Sequence, residues 1–182
     1  MKNKDIAKIC KQNKTIVVIT DADGTQWAGD GAAMFPLLKM PTLDEEGFYA
    51  VFDINDKQAA GYDFKIMNFM GGMSLDDTTP EENELKRIPI KICCEGRELE
   101  PVITSQGLAF IDNDYLKICD GSYMKVFERF KENGELYFAV KNGLMIIGII
   151  APYKIHDSSA EIIRILSRQL EIDKLNRAVE TQ

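Results

Sequence analysis

A series of tight turns in the second half constrains this chain more than any other feature. Asn133-Gly134 and Asn142-Gly143 each separate two apolar runs, and Glu95-Gly96-Arg97 and Ser105-Gln106-Gly107 do the same. A type I′ hairpin turn needs positive φ at both central positions, which Asn-Gly accepts. Strands joined so closely run antiparallel, because a parallel connection takes a dozen or more residues. The sequence therefore predicts strands over residues 88–94, 99–104, 108–111, 135–140 and 144–150, the last stopped by Pro152.

The first half reads differently. Residues 5–13 carry Ile6, Ile9 and Cys10 at helical spacing, with lysines around the other face. A β-branched strand is expected over 16–20, a turn over 21–24 and a return strand over 26–28. Pro36 and Pro41 leave room for at most a short helix between Ala32 and Met40. Residues 47–54, rich in Phe, Tyr, Val and Ile, read as a further strand. Residues 71–84 are polar, acidic and full of turn formers, which reads as a linker or long surface loop. Ser158-Ser159-Ala160-Glu161 is a capping box ahead of a stripe of Ile162, Ile163, Leu166 and Leu170, so a long C-terminal helix is expected.

The expected fold class is α+β: a mainly antiparallel sheet with hairpins, an N-terminal helix and a long C-terminal helix. The organisation expected is an N-terminal α+β half (1–70), an acidic linker or loop (71–86), and an antiparallel β half with the C-terminal helix (87–182). The halves echo one another weakly. Val18-Ile19-Thr20, Gly24 and Asp30 recur as Val102-Ile103-Thr104, Gly107 and Asp112, and residues 48–51 resemble 137–140. A duplicated domain would explain such an echo.

Composition narrows the function classes. Hydrophobic residues are 45% of the 182 and charged residues 28%, as in folded globular proteins. A formal net charge of −7 disfavours non-specific nucleic-acid binding while leaving room for a local basic face. No apolar run reaches the roughly 18–20 residues of a membrane span, and no apolar stretch follows the charged N-terminus, so no membrane association is expected. Cys10, Cys93, Cys94 and Cys119 lack zinc-ligand spacing, and His156 is the sole histidine. Reduced thiols in a cytoplasm are expected.

One segment spells a chemistry. The 16–20 strand runs into Asp21-Ala22-Asp23-Gly24-Thr25, which resembles the nucleophile loop of haloacid-dehalogenase phosphatases. That resemblance implies a magnesium-dependent phosphatase in which Asp21 attacks phosphorus, Asp23 is the acid/base and the two carboxylates hold the metal. For the remaining parts, Asp76-Asp77 is the candidate acidic pair and Lys57 or Lys65 the candidate lysine. The superfamily needs a parallel sheet with alternating helices, whereas hairpins follow here, and Gln26 stands where an aliphatic residue is usual. Asp-Ala-Asp-Gly is also good turn chemistry in its own right. The preferred reading is thus a turn whose aspartates cap backbone amides, with no catalytic residue and no cofactor. A calcium loop would need its Gly at the sixth position and a Glu at the twelfth, and Met70-Gly71-Gly72 lacks the Lys-Ser/Thr of a P-loop.

Two wider resemblances remain. Residues 26–37, Met40-Pro41 and residues 108–117 resemble uncharacterised phage and prophage proteins of Gram-positive bacteria, a group that implies no activity. A helix, strands, a turn and Ala28-Gly29-Asp30-Gly31 are similar to the repeating unit of DNA sliding clamps. That likeness implies a replication accessory whose helix lysines Lys2, Lys4, Lys8, Lys11 and Lys14 face DNA phosphates. Trp27 and the helix residues Leu166, Leu170 and Leu175 are candidate contacts for a protein partner or for self-association. The functional expectation is a non-enzymatic, cytoplasmic binding protein of phage type, with a clamp-like accessory, a small docking protein and the phosphatase as the forms it could take.

Overall fold

The computed structural model describes residues 3–67, 72–79, 82–88, 90–119 and 121–155, together with Ile165 and Arg168. Lys2, His156, the Ser158 capping box and the stripe bearing Leu166, Leu170 and Leu175 lie outside the described residues. Over those residues the chain is a mixed α/β fold of four helices and two sheets. The larger sheet has eight strands in the order β4-β1-β2-β3-β11-β10-β9-β5, and a smaller one has the order β6-β7-β8.

Two units of the same plan build the larger sheet. In the first, α1 (Asn3–Asn13) leads into a meander of β1 (Thr15–Thr20), β2 (Gln26–Gly29) and β3 (Ala33–Pro36). In the second, α4 (Asn113–Ile118) leads into β9 (Met124–Phe130), β10 (Leu136–Asn142) and β11 (Met145–Ile150). β3 and β11 pair antiparallel at the centre, with Met34 opposite Ile149 and Ala33 opposite Ile150. The first hairpins match in register. Ile19 faces Trp27 as Arg129 faces Tyr137, and Thr20 faces Gln26 as Phe130 faces Leu136, each residue 110 places further on. Each outer strand gains one neighbour: β4 (Asp63–Met67) lies parallel to β1, and β5 (Asn83–Glu84) lies antiparallel to β9.

This repeat differs from the one the sequence echo suggests. Residues 18–20 lie in β1, but 102–104 lie in β7 (Arg97–Thr104) of the smaller sheet, between β6 (Ile92–Cys94) and β8 (Gly107–Asp112). Residues 48–51 are helical while 137–140 are strand. The echo compares segments with unlike roles; the structural repeat is in backbone plan and shows little identity of side chains.

Several elements correct the sequence expectations. The strand expected over 47–54 is α2 (Glu45–Val51), followed by a turn of helix, α3 (Asp56–Ala59). Asp44 starts α2 by accepting the Gly47 amide at 2.9 Å, and acidic residues fill the first turn. Phe48 and Phe52, one turn apart, meet edge-on at 5.6 Å between centroids and are fully buried. That i, i+4 pairing outweighs the β-propensity of the segment. β3 runs through the segment in which Pro36 and Pro41 left room for at most a short helix, with Pro36 opposite Trp27. The β1–β4 pair is parallel, reached by the long excursion through α2 and α3. The smaller sheet follows the predicted hairpins, except that β6 begins at Ile92 and not at Ile88.

Both faces of the large sheet are covered. One face packs Ile16, Val18, Ala28, Phe35, Phe138, Val140 and Ile150 against Ile6, Ile9 and Cys10 of α1, Phe48 and Phe52 around α2, and Leu116 and Ile118 of α4. The other presents Val17, Ile19, Trp27, Met34, Tyr137, Ala139, Ile146 and Ile149, and residues 72–79 and 82–85 lie across its second half.

That acidic stretch, expected as a solvated linker, is fastened to the sheet. Arg129 is 2% exposed and spends all five guanidinium donors on it. Nε and Nη2 donate to Glu82 (2.9 and 2.5 Å), Nη1 to the Ser74 and Asp76 carbonyls (3.2 and 2.8 Å), and Nη2 also to the Asp77 carbonyl. Lys141, 3% exposed, reaches the other Glu82 oxygen and sits 4.7 Å from the Phe127 ring centroid. Tyr137 Oη takes the Ser74 amide at 3.1 Å, and Asp77 takes the Ile146 amide at 2.8 Å. Met73 is buried beneath the stretch. Charge that looks solvated in sequence is here neutralised inside the fold. The large sheet also draws strands from both sides of residues 71–86, so that segment joins parts of one sheet.

Candidate functional site

The Asp-x-Asp-Gly-Thr loop closes the β1–β2 hairpin. The Asp21 amide donates to the Thr25 carbonyl (2.9 Å) and the Gly24 amide to the Asp21 carbonyl (3.0 Å). Gly24 has φ +87°, the left-handed conformation that glycine adopts without penalty. Asp23 takes the Thr25 amide at 2.8 Å, and Asp21 takes the Ala22 amide. The Thr25 bonds hold the Asp23 carboxyl below its ordinary range. Both aspartates are therefore engaged by their own loop.

The equivalent loop of the second unit, residues 131–135, is built the same way. Lys131 N–H donates to the Glu135 carbonyl (2.9 Å), Gly134 N–H to the Lys131 carbonyl (2.8 Å), and Asn133 accepts the Glu135 amide (3.0 Å). Gly134 has φ +81°. Lys-Glu-Asn-Gly-Glu carries no phosphatase pattern, yet it makes the same turn. The shared part of the two loops is turn geometry: an Asx side chain on the amide two residues on, followed by a left-handed glycine. Among the described residues no group of three or more His, Cys, Asp or Glu side chains is close enough to hold a metal ion. Asp76 and Asp77 lie in the stretch fastened to Arg129 and Ile146, and Lys65 pairs with Asp63.

The lysines of α1 stand as amphipathicity dictates. Ile6, Ala7, Ile9 and Cys10 are buried, which turns Lys4 and Lys8 outward. Lys14, just past the helix, is exposed too. Lys11 is half-buried and donates to the Asp53 carbonyl at 3.0 Å. Of the expected phosphate-facing set, Lys4, Lys8 and Lys14 thus present their side chains to solvent, and Lys11 braces the turn after α2. Trp27, expected as a partner contact, is 4% exposed in the apolar face with Ile19 and Met34. Its place is the core. Its Nε1 is buried without a hydrogen-bond partner.

The fold also assembles a polar cleft that sequence reasoning missed. It has a volume of about 400 Å³ and lies where the end of α1, the β2–β3 turn, the start of β7, the β8–α4 junction and residues 151–154 converge. Asp30 holds it together. One oxygen takes the Ala32 and Ala33 amides at 3.0 Å each; the other takes Tyr115 Oη at 2.7 Å and Asn13 Nδ2 at 2.5 Å. Arg97 donates to Asp112 (2.5 Å), and Asp112, buried, caps α4 through the Asp114 amide (2.9 Å). Burial and the adjoining Asp30 push the Tyr115 hydroxyl up. Asp30 and Asp112 are the pair singled out by the sequence echo, but Asn13, Arg97 and Tyr115 come from distant segments with no pattern to link them. The carboxylate oxygens are occupied by the protein's own donors, so the cluster braces α1 and α4 against the smaller sheet.

The thiols match this quiet chemistry. Cys10 and Cys119 are buried free thiols, and Cys93 is an exposed one. Burial pushes Cys10 and Cys119 up to about 12, far from thiolate reactivity at neutral pH. No helix among the described residues is long and apolar enough to cross a membrane. Comparison of the chain with family models, with curated proteins and with solved structures finds no match.

Proposed function

We propose that this is a non-catalytic binding protein of phage type that acts as a clamp-like accessory on DNA. The observation that carries the reading is the paired helix-and-meander plan: two such units meet at β3–β11 and set α1 and α4 on one face of a continuous sheet. Sliding clamps are likewise built from repeated helix-and-strand units with basic helices toward DNA. Lys4, Lys8 and Lys14 give α1 an outward basic edge on a chain whose net charge is −7. Such an edge suits phosphate contacts without base readout.

The reading also calls for self-association. β4 is an edge strand of the large sheet, with Ile66 63% and Met67 40% exposed. Exposed apolar side chains on an edge strand favour pairing with another chain. The expected result is a closed oligomer in sedimentation, and duplex binding that weakens steeply with salt. Lys4→Glu, Lys8→Glu and Lys14→Glu together should abolish that binding without changing the oligomer. A monomeric protein with no salt-dependent DNA association would overturn the proposal.

The same use of Asp21 and Asp23 in turn geometry supports the absence of phosphatase chemistry from this reading. Asp21→Asn should leave DNA binding and fold unchanged, and neither form should release phosphate from a generic ester with magnesium present.

A further inference from the structure

We propose that the sheet face opposite α1 and α4 carries a binding site for a small aromatic monocarboxylate, its ring on Met34 and Met73 and its carboxylate on Lys154. The site is a cavity of about 290 Å³ where the two units meet. Met34 of β3, Tyr137 of β10 and Ile149 of β11 line it together with Met73 of the acidic stretch. All four are nearly buried, and the Tyr137 hydroxyl is already engaged by the Ser74 amide. These side chains therefore offer an apolar surface, against which water finds few hydrogen-bond partners. Two thioethers favour an aromatic ring, because a polarisable sulfur gains from contact with a ring at about 5 Å. The volume stands near the lower end of the roughly 300–1,000 Å³ of small-molecule pockets, which suits a body of about one ring.

The rim decides the charge of the ligand. Lys131 and Glu135 line the cavity too, but they neutralise each other at 2.7 Å. Lys154 is exposed, acts on Glu135 only through space, and among the described residues makes no hydrogen bond or ion pair. It also lines the polar cleft at Asp30, which shares Ala32, Ala151 and Pro152 with this cavity. The Asp30 and Asp112 carboxylates there are taken by Tyr115 and Arg97 and leave Lys154 uncompensated. A carboxylate at the cavity mouth would give it a charge-assisted bond, stronger than one between neutral groups. The walls are fixed before anything binds. The Ala151 amide donates to the Ala32 carbonyl (2.7 Å), the Tyr153 amide to the Phe110 carbonyl (2.8 Å) and the Glu132 amide to the Gly72 carbonyl (3.1 Å). A site preorganised in this way costs little to order on binding. It uses none of the α1 lysines, so it stands whether or not the chain binds DNA.

Benzoate titrated onto the full chain, carbon-labelled at its methionine methyls, tests this by NMR at neutral pH. The Met34 and Met73 methyls should shift together and saturate, with a Kd on the order of a millimolar. The methyl of Met145, half-exposed at the start of β11 and outside the cavity lining, should stay in place. Benzyl alcohol, with the same ring and no charge, should bind about tenfold more weakly. Lys154→Glu should weaken benzoate about tenfold and remove its advantage over the alcohol, whereas Lys86→Glu, the same charge change at another exposed lysine, should leave it intact. The comparison of benzoate with benzyl alcohol on the wild type needs no variant, so it decides the charge preference even if Lys154→Glu disturbs the fold. Absence of saturable shifts at Met34 and Met73, a Met145 shift that tracks theirs, equal binding of the alcohol, or benzoate affinity unchanged in Lys154→Glu would each overturn the proposal.

Discussion

The two helix-and-meander units share a backbone and treat the same sheet face in opposite ways. Where the first unit places Ile19 beside Trp27, the second places Arg129 beside Tyr137. The first half of that face is apolar, and even the indole Nε1 there goes unpartnered. The second half is polar below its surface, and it recruits an acidic stretch to satisfy it. A shared hairpin register therefore does not fix what a face can bind; the side chain at one register position decides whether it wants an apolar layer or a carboxylate. The difference also explains where the acidic residues 72–79 and 82–84 run.

The comparison can be tested by equivalent changes in each unit. The largest effects are expected at the two register partners. Arg129→Ala should cost about 3–5 kcal/mol in denaturant unfolding, because the Ser74, Asp76 and Asp77 carbonyls and a Glu82 oxygen lose their donor inside the fold. Trp27→Ala should cost a similar 3–5 kcal/mol through lost volume. Only the Arg129 loss should be largely rescued by removing the matching charges. Rescue in both, or in neither, would break the contrast.

The turns should behave alike where the faces do not. Gly24→Ala and Gly134→Ala each force a side chain into positive φ and should cost roughly 1–2 kcal/mol apiece. A difference well beyond that range between them would show that the loops are not equivalent. Tyr137→Phe should cost about 1 kcal/mol by leaving the Ser74 amide without its acceptor.

The smallest expected effect is on pH dependence. Burial pushes the Glu82 carboxyl up, but bonds from Lys141 and Arg129 outweigh it and hold it below its ordinary 4.5. A folded value lowered in this way gives stability that is fully present above the ordinary value and is lost as pH falls through the lower one. Unfolding midpoints measured from about pH 5 down to about pH 3 should therefore drop more steeply in the wild type than in a variant carrying Glu82→Leu, Arg129→Met and Lys141→Met. Equal slopes would remove Glu82 as the source.

Local patterns carried much of the hairpin architecture. Glycine-bearing turns announced β7–β8 and β10–β11, and the apolar spacing of Ile6, Ile9 and Cys10 announced α1. Residues 47–54 misled because aromatic content is shared by strands and buried helices; the Asp44 cap was the better signal. Arg129 and Lys141 read as ordinary strand charges, and nothing adjacent to either hints at Glu82. The polar cleft was illegible for the same reason, since Asn13 and Arg97 lie 3.4 Å apart although 84 places separate them in sequence.

By itself the sequence determined the turns, and through them the antiparallel sense of the strands they join. It also determined which face of α1 is buried. These follow from φ restrictions and side-chain periodicity, which act over a few residues. Only the tertiary structure decided that two units meet at β3–β11, that Trp27 is core, and that the acidic stretch is a fastened strap. Each of those depends on which distant group supplies a neighbour, and desolvation sets the value of a charge or a ring only once that neighbour is in place.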